Sequence, residues 1–191
     1  MVRSYEMMVI GASAGGYDAF SYLLGRIGSN FVIPVAAVQH LAPDTGEYLV
    51  RTLNSLCALT VKEAEEKELI QPGFVYFAPP NYHLLIEPDH TFSLSIDPKV
   101  NFCRPSVDVL FESAADVYRE SLIGILLTGA NADGAAGMKR IRDLGGMTIV
   151  QDPKTAEVDA MPQAAIDLFK VDHIVPLDQV LPLITRLTEE V

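Results

Sequence analysis

Short apolar runs alternate with amphipathic stretches from one end of the chain to the other. Met7 to Ile10, Ile33 to Val38, Leu122 to Leu127, Thr148 to Val150 and His173 to Val175 lack the polar alternation of a half-exposed strand and predict strands buried on both faces. Between them, apolar residues recur at helical spacing over Tyr17 to Leu24, Gly46 to Leu56, Ser106 to Tyr118, Gly134 to Leu144, Pro162 to Phe169 and Leu177 to Leu187. Strand–helix alternation of this kind predicts an α/β fold, a doubly wound and mainly parallel sheet with helices on both faces. One stretch departs from it. Phe74 to Ala78, Tyr82 to Glu87 and Thr91 to Ile96 are separated by Pro79-Pro80-Asn81 and Pro88-Asp89-His90, which is turn chemistry, and predict an antiparallel hairpin insertion at one end. Lys62 to Glu68, with four Glu and two Lys, reads as a solvated connection. No Ser/Pro/Gly-rich linker or repeat interrupts the pattern, so a single domain over residues 1–191 is expected.

Composition narrows the function classes. The 191 residues carry 14 Lys plus Arg against 25 Asp plus Glu, a net charge of −11, and no basic stripe, which argues against a nucleic-acid partner. At 49% hydrophobic and 20% charged, the chain can bury a core without disulfides or a structural metal. Cys57 and Cys103 stand in no CxxC or Cys/His spacing and read as reduced thiols, which makes the cytoplasm the expected location. No apolar run is long enough for a membrane span, and the run at Met7 to Ile10 is too short for a signal-peptide core.

In an open parallel sheet a ligand binds beyond the carboxyl ends of the strands, so the polar residues that follow each apolar run carry the most information. Gly11-Ala12-Ser13-Ala14-Gly15-Gly16 follows the first run, Gln39-His40 the second, and Thr128-Gly129-Ala130-Asn131-Ala132-Asp133-Gly134 a third. A hydroxyl, an imidazole and a carboxylate would share one edge, as a nucleophile, its base and the group that orients the base. Small residues around Ser13 allow a sharp strand-to-helix turn and leave backbone N–H groups at a helix start, where a developing oxyanion is stabilised. Gly11-x-Ser13-x-Gly15 also matches the nucleophile-elbow pattern.

Other readings compete at each position. Gly11, Ser13 and Gly16 fill the slots of a dinucleotide-binding G-x-G-x-x-G loop, but a side chain in the middle slot obstructs a pyrophosphate, and His40 stands where an acidic ribose partner is expected. The loop could equally be a glycine turn chosen for packing. His40 alone could be a satisfied polar residue; its strand-end position before Leu41-Ala42-Pro43 favours a base. Asp133 could cap the helix that begins at Gly134, in addition to orienting an imidazole. His173 offers a rival base in the chain order Ser13, Asp133, His173, although an elbow so near the N-terminus leaves no room for the preceding strands of an α/β-hydrolase. His83 and His90 fall in the insertion and look structural or rim-like. No histidine pair has metal-ligand spacing, so neither a metal nor a cofactor is expected.

Taken together the motifs resemble the catalytic domain of the CheB-type chemotaxis receptor protein-glutamate methylesterases. The resemblance rests on Ile10 to Gly16, Gln39-His40, Phe77 to Leu84, Arg104 to Phe111 and Leu127-Thr128-Gly129 through Asp133 to Met138, and continues in Gln151-Asp152-Pro153 and Ala160-Met161-Pro162. It implies Ser13 as nucleophile, His40 as general base and Asp133 as orienting carboxylate, with a doubly wound sheet. The implied reaction is hydrolysis of glutamyl methyl esters on cytoplasmic helical segments of methyl-accepting chemotaxis receptors with release of methanol, and in some relatives deamidation of receptor glutamines.

Two positions depart from the family pattern. Methionine usually follows Thr-Gly, where Ala130 stands, and threonine usually follows the serine, where Ala14 stands. Support for an oxyanion is accordingly expected from the loop of Ala14, Gly15 and Gly16 together with Ala130, and Arg104 is a candidate cation at the substrate rim or a surface residue at a helix start. Family regulators usually carry a receiver domain ahead of the catalytic one. This chain begins at the first catalytic strand, so a separate receiver-type protein is an expected partner beside the receptor. The rival functions are a noncatalytic docking module of the same fold and a small-molecule esterase.

Overall fold

The computed structural model describes residues 4–40 and 46–189. The first half of the chain runs through β1 (Met7–Ala12), α1 (Gly16–Leu24), β2 (Val35–Gln39), α2 (Gly46–Leu56), β3 (Thr60–Glu63), β4 (Phe74–Phe77), β5 (His83–Ile86) and β6 (Phe92–Ser95). The second half continues with α3 (Val107–Tyr118), β7 (Leu122–Leu126), α4 (Ala135–Asp143), β8 (Met147–Gln151), α5 (Ala160–Leu168), β9 (His173–Val175) and α6 (Leu177–Glu189). Seven strands form one parallel sheet in the order β3-β4-β2-β1-β7-β8-β9, and β5 with β6 makes a separate antiparallel hairpin.

The missing polar alternation is explained by two cores. Met8, Ile10 and Ala12 of β1 pack into a layer with α1, α2 and α6, while Met7 and Val9 face the opposite layer with α3, α4, α5 and the hairpin. Every residue of β1, β2 and β7 is buried, so both faces of each central strand must be apolar or small. Each large apolar side chain so buried contributes about 1.5–3 kcal/mol.

The expected antiparallel insertion is smaller than its three apolar runs suggest. Phe74 to Ala78 supplies β4, which is an interior strand of the main sheet, parallel to both β2 and β3. Its consecutive aromatic residues explain why: Phe77 meets Phe20 of α1 on one face (centroids 5.0 Å apart) and Tyr76 meets Phe92 of β6 on the other (4.9 Å). The charged connection is also partly strand. Thr60–Glu63 forms the sheet edge, where Lys62 pairs with Glu65 and Glu68 at 2.7 Å each, and Glu66 accepts the Leu94 N–H of β6. Charges suit an edge strand, because they discourage pairing with another chain.

Register places the chemistry. Ala12 lies opposite Gln39, and the His40 N–H donates to Ala12 O (3.1 Å), so Ser13 and His40 leave adjoining strands side by side. On the other flank of β1, Ser13 N–H donates to Thr128 O (2.9 Å) just beyond β7. The chain first builds outward from β1 through β2 and returns to add β7 on the opposite side, so this edge is the topological switch point of the sheet.

Candidate active site

The turn after β1 is pinned from three sides. Gln39 Nε2 donates to Ser13 O (2.8 Å), Thr128 Oγ1 donates to Ala14 O (2.8 Å), and Gly16 N–H donates to Ser13 O (2.8 Å). Gly15 adopts φ 75°, a left-handed conformation that favours glycine, and a Cβ there would stand 2.7 Å from Glu157 Cβ. With the amides of Ser13 and Gly16 occupied, those of Ala14 and Gly15 at the start of α1 have no hydrogen-bond partner among the described residues. Ser13 is half-buried, and its hydroxyl likewise has no partner there.

His40 and Asp133 form the centre of a buried network. His40 Nε2 is 2.8 Å from Asp133 Oδ2, with side-chain exposures of 11% and 0%. The same carboxylate accepts Ser106 Oγ–H (2.7 Å), Val107 N–H (2.7 Å), Asp108 N–H (3.2 Å) and Asn101 Nδ2–H (3.2 Å). Burial alone raises its pKa, but the bonds from His40, Ser106, Val107 and Asn101 outweigh burial and hold it below the ordinary aspartate value. An ionised Asp133 accepts from Nε2–H, which leaves the Nδ1 lone pair of His40 as the basic position.

The expectation that Asp133 caps its own helix is corrected by this geometry. The N-cap of α4 is Gly134, and Asp133 instead receives the first amides of α3. Asp108, inside α3, accepts Gly134 N–H (2.9 Å) and Gly137 N–H (2.7 Å) at the start of α4. Burial, together with the Asp133 charge and against the two amides, pushes the Asp108 carboxyl up to about 6.

His173 opens β9 at the register level of Ile149, hence of Ile125 and Ile10, three strands from β1 and before the strand ends rather than beyond them. At strand spacing that is about 14 Å across the sheet, far outside hydrogen-bond reach of Ser13. His83 is buried and structural: its Nδ1 accepts Ser106 N–H (3.2 Å) and its Nε2 donates to Pro98 O (3.1 Å). Ala130 is exposed on the loop between β7 and Asp133. Arg104 lines a cavity of about 160 Å³ with His40, Asn81, Lys99, Phe102 and Cys103, and its guanidinium is tied to Ile96 O (2.7 Å) and Asp97 O (3.1 Å). A larger cavity, about 620 Å³ between α1 and α6, lies at the opposite end of the sheet and offers Tyr22, Arg26 and Arg186 but no nucleophile–base pair. Leu41-Ala42-Pro43, which follows His40 in sequence, lies outside the described residues.

Sequence reasoning gave no role to Gln39, Asn101, Cys103, Ser106, Asp108 or Thr128. Cys103 is the most consequential: its Sγ is 3.6 Å from His40 Nδ1 and accepts Asn131 Nδ2–H (3.3 Å). Burial and the Asp133 charge push its thiol pKa up. The donor atoms of His40, Cys103 and Asp133 all lie within 4.8 Å of one another, although the three come from distant segments with no ligand spacing in the sequence. The surrounding motif, Arg104 to Phe111, is where a signal was available.

The fold is an open parallel α/β sheet of Rossmann-like topology, in which Ser13 and His40 follow adjacent strands and Asp133, on the loop after β7, bonds His40. Residues 8–184 match the family described as CheB methylesterase, and the chain belongs to that family. It is 52% identical over 187 residues to a putative protein-glutamate methylesterase/protein-glutamine glutaminase of Leptospira interrogans, covering 97% of this chain and 96% of that protein. It is 35% identical to the protein-glutamate methylesterase/protein-glutamine glutaminase of Symbiobacterium thermophilum over 97% of this chain, but spans only 51% of that protein's length. Among solved structures, the catalytic domain of Thermotoga maritima CheB methylesterase superposes with a TM-score of 0.91 at 34% identity, covering 98% of this chain and all of that one.

Proposed function

We propose that the chain is a serine-dependent protein-glutamate methylesterase acting on glutamyl methyl esters in the cytoplasmic helical region of methyl-accepting chemotaxis receptors. The observation that carries the reading is the 2.8 Å His40–Asp133 bond at the strand end adjoining Ser13. Ser13 Oγ attacks the ester carbonyl as His40 Nδ1 takes its proton; the tetrahedral oxyanion is met by the free amides of Ala14 and Gly15. Collapse expels methoxide, which takes the proton back from His40 and leaves as methanol. Water gives one proton to His40 as its oxygen attacks the acyl-enzyme; collapse of the second tetrahedral intermediate expels the Ser13 alkoxide, which takes that proton from His40, and the released glutamic acid loses its own proton to solvent. Asp133 holds the imidazole and balances its positive charge.

A second reaction follows from the same acyl chemistry and is supported by the names of the relatives: deamidation of a receptor glutamine, with ammonia as the leaving group. Receptor demethylation also carries a cytoplasmic location, with which the absence of any membrane-length apolar helix among the described residues is consistent. Control by a separate receiver-type protein belongs to the same reading. Purified chain is incubated with methyl-labelled receptor membranes and volatile methanol is counted. Release that depends on Ser13 supports the proposal; a folded chain that releases none from any methylated receptor, yet hydrolyses small esters, would replace it with the small-molecule esterase.

A further inference from the structure

The His40–Cys103 contact is used by no step of the ester hydrolysis. We propose that His40 Nδ1 and Cys103 Sγ form a binding site for a thiophilic divalent cation, Zn²⁺ in the first instance, and that its occupancy switches the enzyme off. The inhibitory half of this inference rests on Nδ1 being the catalytic base.

Distance is the first argument. Ligands about 2.1 Å (imidazole nitrogen) and about 2.3 Å (thiolate) from a tetrahedral zinc stand about 3.6 Å apart. The observed Nδ1···Sγ separation is 3.6 Å, the spacing that two such ligands of one ion require. Asp133 supplies the second argument. Its bond to Nε2 directs the proton there and leaves Nδ1 free to ligate, which is the carboxylate–histidine arrangement that supports metal-bound imidazoles. The carboxylate itself receives four further donors and so acts as the supporting group rather than as a ligand. Asn131 Nδ2–H, 3.3 Å from Sγ, stabilises a thiolate in the same way.

Access and selectivity agree with this. Both donors line the cavity of about 160 Å³, which gives an ion a path in and leaves its remaining coordination positions to solvent. One thiolate and one imidazole select Zn²⁺, Cd²⁺ or Co²⁺ over Mg²⁺ and Ca²⁺, which require oxygen ligands. Binding exchanges the thiol proton for the metal: the S–H bond breaks, the Sγ–metal bond forms, and the proton passes to solvent. An ion on the Nδ1 lone pair then blocks proton transfer from Ser13.

Cobalt provides a readout independent of catalysis. Co²⁺ added to the purified chain should give a thiolate-to-cobalt charge-transfer absorption that saturates at one equivalent and disappears when Zn²⁺ is added. The absorption should be absent in Cys103→Ala and Cys103→Ser and present in Cys57→Ser. In parallel, one equivalent of Zn²⁺ should reduce methanol release at least tenfold, reversibly on chelation, while either Cys103 variant stays within twofold of its own metal-free rate and Mg²⁺ has no effect. No absorption, or absorption that survives in both Cys103 variants, overturns the site. Absorption with methanol release unchanged at saturating Zn²⁺ overturns the switch. A chain that binds cobalt through Cys103 but never releases methanol counts against the esterase reading and leaves the metal site standing.

Discussion

Asp108 and Asp133 cap each other's helices. Asp133, just ahead of α4, accepts the amides of Val107 and Asp108 at the start of α3; Asp108 accepts those of Gly134 and Gly137 at the start of α4. Each helix N-terminus thus holds the carboxylate that belongs to the other, and two positive helix ends make the close approach of two acids tolerable. Asn101 Nδ2 bridges them, 2.9 Å from Asp108 and 3.2 Å from Asp133.

The exchange makes stability depend on pH in a defined window. Asp108 is pushed up to about 6 in the folded protein, against about 3.9 when unfolded. Its contribution is therefore complete below about pH 3.9 and is lost as the pH rises through about 6, the reverse of an ion-paired carboxylate. Asp133, whose value is lowered, contributes in the opposite sense, and that contribution is lost only at more acidic pH. Urea melts of Asp108→Asn and the parent should show the variant gaining on the parent by roughly 1–3 kcal/mol between about pH 4 and about pH 7.5. A difference that does not change with pH would mean that Asp108 titrates normally.

Assignment of the base can be tested by comparing histidines. Ser13→Ala and His40→Ala should each reduce methanol release by a factor on the order of 10³ or more, and the double variant should lose little beyond either alone. His173→Ala, three strands away, should stay within about tenfold of the parent. A dead His173→Ala with an active His40→Ala would reverse the assignment.

Asp133→Asn should fail in two separable ways. The rate should drop by roughly 10³–10⁴, because an amide no longer selects the Nε2–H tautomer. Stability should also fall by about 1–3 kcal/mol, since one amide nitrogen must face the donors of either Val107 and His40 or Ser106, Asp108 and Asn101. Thermal melting beside the rate assay distinguishes the two; unchanged stability would show that the carboxylate is not the cap of α3.

Ala130 is exposed on the loop that leads to Asp133, so a larger side chain there has room. Ala130→Met should keep methanol release within about tenfold of the parent, hence within about 1.4 kcal/mol of barrier. Collapse of activity in a folded variant would show that this loop carries more of the oxyanion site than the amides of Ala14 and Gly15.

Much of this site was legible in the sequence because strand ends are. Continuous apolar runs located β1, β2 and β7, and a parallel sheet then obliges the residues after them to share an edge. Where reading failed, tertiary partners decided. Phe74 to Ala78 is apolar in either setting, and only the contacts of Tyr76 and Phe77 with opposite layers make it an interior parallel strand. Thr60–Glu63 is too charged to read as a strand until its edge position is known. Asp133 ahead of Gly134 satisfies a local capping rule that loses to donors 25 and 26 residues away. His40 and Cys103, 63 residues apart, have no spacing that could announce them.

The five hydrogen bonds converging on Asp133 also bear on how charge moves during turnover. A carboxylate with its lone pairs already committed has nowhere to place a proton without breaking a bond from a fixed backbone amide or hydroxyl. In the proposed reaction its negative charge would therefore stay in place while the proton moves between Ser13, His40 and the leaving group. The site would thus pair a fixed anion with a mobile cation, an imidazolium formed only alongside the oxyanion.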